Sequence, residues 1–437
     1  MALKYNSRAA HAAGFVDLRP GMQDDGNFGT TRLATVAMTL PTKYQQIARD
    51  AEAGRPDAQF LLSQICMQNG DTRGMMLWLR RAIDSGVPDA LGALGRCYEN
   101  GHGVQRDMAA ALQHYERAVA SGSKVAAFDN AQLLHKSRQG AVSSDEVYGL
   151  LVTAAKANVT PAFRVLGYVA MQHESTRGLA IDCLRRAADS GDSVANFMLG
   201  SLDDEHAPRQ AGASRDSIDF PQSLSMFPDV RPVDHQQMND DPPIMVFKDV
   251  LDPVDRAYLM FLSEPSLKRA HVIDPDGDKS GMVSKVRTNQ TTYIPFEVVD
   301  IIGRYIEMKI INATGEDLLS SEPMSILKYA PGEYYRPHLD YFDPKLAVSS
   351  TFMEDGGQRT ASAVTYLAAP SKGGGTSFPN LDLTVPAAAG STLWFRNCSA
   401  DGQVDERSLH AGDTVEEGEK WVVTKWFREG PTRYLQL

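Results

Sequence analysis

Two periodicities divide the chain. Between about Thr42 and Ala207 apolar residues recur at helical spacing among many alanines, whereas several runs beyond Pro242 alternate with a period of two. A short block recurs in the first part. It reads Ala53-Gly54-Arg55-Pro56-Asp57-Ala58, then Ser85-Gly86-Val87-Pro88-Asp89-Ala90, then Ser121-Gly122-Ser123-Lys124-Val125-Ala126. Looser copies follow at Ala157-Asn158-Val159-Thr160-Pro161-Ala162 and Ser190-Gly191-Asp192-Ser193-Val194-Ala195. Anchored on Gly54, Gly86, Gly122, Asn158 and Gly191, the intervals are 32, 36, 36 and 33 residues, with an Ala four residues after every anchor. A repeat of this length with two helical segments per unit predicts stacked helical hairpins, an all-α solenoid. Gly or Asn at the anchor suits the left-handed residue that ends a helix, and the Ala permits close packing of the next one.

The second part predicts helices near Asp252 to Ser263 and Pro295 to Ala313, backing a sheet made of the later strands. In Lys420-Trp421-Val422-Val423-Thr424-Lys425-Trp426-Phe427 a period of two places Lys420, Val422, Thr424 and Trp426 on one face. A Lys on an inward face among apolar and aromatic neighbours is costly unless an anion pairs with it, and a dicarboxylate cosubstrate is the natural candidate. Upstream, His338 and Asp340 are two residues apart in Tyr334-Tyr335-Arg336-Pro337-His338-Leu339-Asp340, and His410 precedes Lys420 by ten. On an extended strand, side chains at i and i+2 share a face, so a His and a carboxylate can grip one metal ion. A second His completes the 2-His-1-carboxylate triad of non-haem Fe(II) oxygenases, which leaves positions open for O2 and an organic ligand. With ten His in the chain, roughly one His-x-Asp is expected by chance. The tyrosine-rich run around it and the downstream His410 and Lys420 set this one apart.

These residues carry a family resemblance. From about Pro242 to the C-terminus the chain resembles the catalytic domain of the prolyl 4-hydroxylases, within the 2-oxoglutarate- and Fe(II)-dependent dioxygenases. The matching pieces come in the family's order: Arg287-Thr288, Tyr329-Ala330-Pro331-Gly332 and His338-Leu339-Asp340-Tyr341-Phe342, then Gly357-Gln358-Arg359 before Ala363-Val364-Thr365-Tyr366-Leu367. Gly373-Gly374-Gly375-Thr376-Ser377-Phe378-Pro379, Gly390-Ser391-Thr392-Leu393-Trp394-Phe395 and the segment from His410 to Trp426 complete the set. The resemblance implies a double-stranded β-helix, a jelly-roll barrel with iron inside one open end. It implies that His338, Asp340 and His410 bind Fe(II), that Lys420 pairs with the distal carboxylate of 2-oxoglutarate, and that Tyr329 and Thr376 hydrogen-bond it. Arg359 and Trp426 match positions near the substrate. On the residues alone, Tyr329 could be a half-buried strand aromatic, Thr376 a turn residue and Arg359 a solvated strand entry. Related oxygenases hold the same carboxylate with an Arg at other spacings, so Lys420 favours the prolyl-hydroxylase branch. Arg428 departs from it, because many animal and plant members carry a His there.

Fe(II), 2-oxoglutarate and O2 are thus the implied cofactors, with ascorbate as a reductant. The implied reaction is hydroxylation of an unactivated C–H bond, first of all a prolyl residue in a peptide or protein, as in procollagen-proline 4-dioxygenases. The readings left open are a free amino acid, a small metabolite or a non-prolyl residue as substrate, and a repeat scaffold with a vestigial oxygenase. In the first part, Leu94-Gly95-Arg96-Cys97-Tyr98-Glu99-Asn100-Gly101-His102-Gly103-Val104-Gln105-Arg106-Asp107 resembles the signature of Sel1-like repeats, relatives of tetratricopeptide repeats. Such a solenoid serves either as a spacer or dimerisation element or as a surface that recruits a peptide or protein substrate. The oligomeric state stays open.

Composition fits several domains, since 437 residues supply two or three cores. The expected organisation is an irregular N-terminal segment at 1–41, repeats at 42–207, a linker at 208–241 rich in Pro, Asp, Ser and Gln, and the catalytic domain at 242–437. Phe220, Leu224, Met226 and Phe227 are apolar enough for the linker to dock, while its His235 reads as a solvated loop residue. The formal net charge of −11 argues against a nucleic-acid partner. No apolar run is long enough to span a bilayer and no basic-then-apolar leader opens the chain, so a cytoplasmic protein without a membrane partner is expected. Cys66, Cys97, Cys183 and Cys398 have no metal-ligand spacing and read as buried free thiols. Residues 343–358, between ligand and strand, read as a lid.

Overall fold

The computed structural model describes residues 44–137, 143–200, 218–229, 233–270, 287–295, 299–345, 347–399 and 401–433. The segment at 1–41 lies outside the described residues. The chain forms two compact units, Met1–Ala162 and Phe163–Leu437.

The first unit is a succession of antiparallel helices: α1 (Gln45–Glu52), α2 (Pro56–Gln68), α3 (Thr72–Asp84), α4 (Pro88–Asn100), α5 (Met108–Ala120), α6 (Val125–Ser137) and α7 (Ser144–Lys156). Their ends follow from the repeated block. Gly54, Gly86 and Gly122 have φ of 85°, 81° and 102°, and Asn158 and Gly191 have 62° and 89°, so all five anchors are left-handed. After α3, the amide of Gly86 donates to the Ile83 carbonyl (2.9 Å) and that of Val87 to the Ala82 carbonyl (3.0 Å), the paired bonds of a Schellman ending. Pro56 and Pro88 then open the next helices, where a missing N–H costs nothing. Ala90, Ala126, Ala162 and Ala195 are buried, as close helix approach requires, whereas Ala58 is half-buried.

The second unit opens with α8 (Thr160–Ala170), inside which the division falls, α9 (Arg177–Asp189) and α10 (Ser193–Gly200). There follow β1 (His235–Asn239), β2 (Ile244–Phe247), α11 (Pro253–Ser263), β3 (Lys268–Arg269), β4 (Gln290–Ile294), α12 (Ile301–Thr314), β5 (Met324–Tyr329), β6 (Tyr335–His338) and α13 (Ala347–Met353). The remaining strands are β7 (Arg359–Ala368), β8 (Lys372–Gly373), β9 (Thr376–Phe378), β10 (Leu383–Val385), β11 (Thr392–Arg396), β12 (His410–Gly412), β13 (Val415–Glu417) and β14 (Lys420–Arg428). An eight-stranded sheet runs β1-β2-β11-β7-β14-β5-β4-β3, and a four-stranded sheet runs β10-β9-β12-β6. Leu327, Tyr366, Leu393, Phe395 and Val422 of the larger sheet pack with Phe378 and Val385 of the smaller. The core therefore lies between two sheets, as in a double-stranded β-helix.

The larger sheet is covered on its other side by helices. β14 is buried along its whole length, so its two faces do different work. Val422 enters the inter-sheet core, whereas Lys425, fully buried, reaches Glu307 of α12 and donates to Ser321 Oγ (2.8 Å). Arg304 pairs with the same Glu307. α11 begins with a capping box in which the Asp252 carboxylate accepts from the Asp255 amide and the Asp255 carboxylate from the Asp252 amide. The last repeat helices pack here too. The hydroxyl of buried Tyr168 in α8 donates to Asp255 (2.6 Å), its ring meets Tyr305 of α12 edge-on at 5.6 Å, and Phe197 of α10 lies 4.7 Å from Phe261 of α11.

Within the segment read as a linker, Leu224 and Met226 are buried and residues from His235 onward form edge strand β1. His235 itself is exposed, with its ring near Phe247. All four cysteines are free and buried. Among the described residues no helix is long and apolar enough to cross a membrane.

Candidate metal and cosubstrate site

Strand register builds the site. β6 and β12 pair antiparallel with His338 directly opposite His410, and β5 and β14 pair with Tyr329 opposite Lys420. Asp340 follows β6 by two residues and turns back to both imidazoles. Its Oδ1 lies 3.7 Å from His338 Nε2 and its Oδ2 3.6 Å from His410 Nε2, and one ligand atom from each of the three residues lies within 4.8 Å of the others.

The donor set suits a divalent metal. His338 Nδ1 is 2.9 Å from the Arg336 carbonyl and His410 Nδ1 is 3.0 Å from the Ser408 carbonyl. A carbonyl only accepts, so each Nδ1 carries the proton and each Nε2 keeps its lone pair facing Asp340. Burial, followed by the neighbouring His410, pushes His338 down to about 3, which keeps the ring neutral and ready to ligate. Burial alone would push the Asp340 carboxyl up, but His410, His338, Arg359 and the Ser362 hydroxyl outweigh it and hold it at about 2. Aromatic rings fix the imidazoles: Tyr335 stacks on His338 at 3.5 Å, and Phe395 lies 4.7 Å from His410.

Lys420 is 2% exposed and its ammonium donates to the Gly375 carbonyl at 3.1 Å. It makes no ion pair among the described residues; burial pushes it down to about 8, with Asp413 acting in the other direction. The rings of Tyr329 and Tyr366 lie 5.2 and 5.5 Å from the ammonium, and the Tyr366 hydroxyl shares a 2.8 Å hydrogen bond with Thr376 Oγ1. Gly412, two residues after His410, leaves open the space between them. A Cβ there would stand 3.6 Å from the Tyr329 hydroxyl and 3.7 Å from Lys420 Nζ. This buried cation, with hydroxyls nearby and a space that a side chain at position 412 would enter, could hold a carboxylate.

Arg359 and Trp426 meet at the other side of Asp340. The Arg359 guanidinium lies 4.0 Å from the Trp426 ring, grips Glu322 through Nε and Nη2 at 2.7 Å each, and reaches the Asp340 carbonyl at 3.3 Å. Most of its fork is therefore spoken for inside the protein. Arg428 pairs with Glu322 at 3.1 Å and donates to the Gly357 carbonyl (2.7 Å) and the Phe352 carbonyl (2.8 Å). Residues 343–358 hold α13, and Gln358 closes their base through two 2.8 Å bonds to the backbone of Phe342.

Several contributors are not singled out by the sequence. Ser362, Asn397 and Glu322 lie beside the candidate residues, yet only strand register and chain reversal bring them there, while Tyr366 and Asp413 fall in segments that carry the family resemblance without a role assigned to them.

Comparison with known proteins gives independent findings. The profile of the 2OG-Fe(II) oxygenase superfamily matches residues 324–428, and that of the Sel1 repeat matches residues 88–123 and 177–192. Prolyl 4-hydroxylase 1 of Arabidopsis thaliana is 33% identical over 206 residues, 44% of this chain and 70% of the relative. The prolyl 4-hydroxylase subunit alpha-1 of Rattus norvegicus is 30% identical over 191 residues, covering 44% of this chain and 35% of that one. A crystal structure of a viral collagen prolyl hydroxylase from Paramecium Bursaria Chlorella virus-1, in a 2OG complex, aligns at 25% identity over 42% of this chain and 95% of that one, with a TM-score of 0.32.

Proposed function

Because the chain belongs, through its C-terminal part, to the prolyl 4-hydroxylase family of 2-oxoglutarate- and Fe(II)-dependent oxygenases, we propose that it hydroxylates prolyl residues in a peptide or protein. One observation carries the chemistry. Two imidazoles opposed across β6 and β12 converge with Asp340, in a barrel whose other sheet buries Lys420, which has no ion-pair partner among the described residues.

His338, Asp340 and His410 would hold Fe(II), and Lys420 would pair with the distal carboxylate of 2-oxoglutarate. When bound, iron, cosubstrate and O2 supply the oxidation of an unactivated C–H bond, 2-oxoglutarate leaving as succinate and CO2. The chain's own residues set the conditions. The proton on each Nδ1 keeps both rings oriented, and Asp340 supplies the charge that two neutral imidazoles lack. Tyr329 and Thr376 offer hydroxyls to the same carboxylate as Lys420, and Phe378, Phe395 and Val422 exclude water from its surroundings. Arg359 and Trp426 form a cation–aromatic wall beside Asp340, against which a substrate ring would lie. Ascorbate is proposed as the external reductant. The repeats at 42–207 are proposed to bring in a peptide or protein, a use that fits the extended surface of a helical solenoid.

The test is anaerobic titration of Fe(II) and 2-oxoglutarate, followed by aerobic incubation with proline-containing peptides and mass spectrometry for the gain of one oxygen. Asp340→Ala is expected to abolish succinate formation and to weaken metal binding sharply while the protein still folds. Wild-type turnover by that variant would remove the triad. Oxygen gain on free proline but on no peptide would replace the peptide substrate with a small one.

A further inference from the structure

Asp340 lies beyond the last residue of β6, where the ladder no longer fixes the backbone, and a carboxylate rotates easily about its terminal torsion. Something must hold it. Ser362, on β7, is fully buried and its Oγ stands 2.7 Å from Asp340 Oδ2. Asn397, directly after β11 and also fully buried, donates through Nδ2 to the same Oγ at 3.0 Å. The backbone of Asn397 is itself pinned, its amide to the Thr360 carbonyl (2.8 Å) and its carbonyl to the Asp405 amide (3.0 Å).

Proton counting fixes the direction of this chain. An ionised carboxylate can only accept, so the single hydroxyl proton of Ser362 must point at Asp340. The serine oxygen then faces Asn397 with lone pairs, and the amide must offer it an N–H. Asp340 Oδ2 thereby accepts one hydrogen bond, while Oδ1 accepts none among the described residues and so keeps both lone pairs free.

Resting on the metal reading above, we propose that Ser362 and Asn397 are positioning residues that hold Asp340 by Oδ2 and so present Oδ1 as the single metal-binding oxygen. The alternative use of Ser362 is to fill space in a tight strand crossing.

The experiment uses the full chain and two probe metals, Mn(II) for affinity and Co(II) for its visible ligand-field bands. Ser362→Ala is expected to weaken Mn(II) by about 10–100-fold, the range seen when an outer-shell partner of a ligand is lost, and to shift the Co(II) bands. Ser362→Thr, which keeps the hydroxyl, is expected to restore both. Asn397→Ala should change them in the same direction as Ser362→Ala, and it serves alone if thermal melting shows the serine variant unfolded. Wild-type affinity and spectrum in Ser362→Ala, or in a folded Asn397→Ala, overturn the relay. So does an equal loss in the Ala and Thr variants, which would mean packing alone. Failure of the wild-type protein to bind Mn(II) would instead overturn the metal site itself.

Discussion

At the scale of single residues, Lys420 shows how a physical cost points to a ligand. A lysine in a strand of apolar and aromatic residues is improbable without an anion, and that argument needed only the sequence. The structure adds a number: burial brings the ammonium down to about 8. In the free protein the charge is thus present below pH 8 and lost as pH rises through that value. A bound dicarboxylate favours the charged form, so binding should take up a proton above pH 8. The affinity for 2-oxoglutarate is expected to be level at lower pH and to fall up to about tenfold per unit above it. Calorimetry in buffers of different ionisation enthalpy measures both effects, and a flat profile to pH 10 would contradict them. Lys420→Ala should cost about 3–5 kcal/mol of cosubstrate binding, with Mn(II) affinity little changed. The residues that stayed hidden are of another kind. Ser362 reads as one small residue in Ala361-Ser362-Ala363, because its role comes from what the fold sets opposite it, not from its own chemistry.

At the scale of elements, local chemistry reached far. The recurring Gly or Asn anchors specified helix ends, and all five are left-handed. Alternation in β14 was only half the story, since this strand is buried on both faces and Lys425 meets Glu307 on the side away from the core. A period of two assumes one wet face, which helix-covered sheets lack. Arg428 ends the same strand. Its bonds to the carbonyls of Phe352 and Gly357, and its guanidinium 4.6 Å from the Phe342 ring, tie the segment holding α13 to β14. Arg428→Ala removes two charge-assisted bonds, each worth about 1.5–3 kcal/mol. Amide exchange across 347–357 is expected to quicken by tenfold or more, while 2-oxoglutarate turnover without peptide stays near wild type. Unchanged exchange would show that the remaining ties, among them the Gln358 clasp, the Gly430 amide on the Gly356 carbonyl (2.9 Å) and the Arg433 amide on Asp355 (2.7 Å), hold the segment without Arg428.

At the scale of the molecule, the composition change near residue 208 suggested where one module stops, but packing draws the division within α8. The sequence could not show this, because the contacts join residues far apart in the chain. Tyr168 and Asp255, separated by 87 positions, share a buried 2.6 Å hydrogen bond, and Asp255 also takes a 2.7 Å bond from Lys309. Without α8–α10, Asp255 loses its Tyr168 partner while Tyr305 and Phe261 lose their aromatic neighbours, exposing apolar surface on α11 and α12. A fragment beginning near Asp240 contains every candidate ligand, yet it is expected to melt well below the full chain and to aggregate. A fragment beginning at Ala157 keeps α8–α10 and should bind Mn(II) and 2-oxoglutarate as the full chain does. With both cofactor affinities preserved, any rise in KM for a protein substrate in that longer fragment would measure what the earlier repeats contribute to recruitment. Equal KM values for the longer fragment and the full chain would remove the repeats before Ala157 from substrate capture.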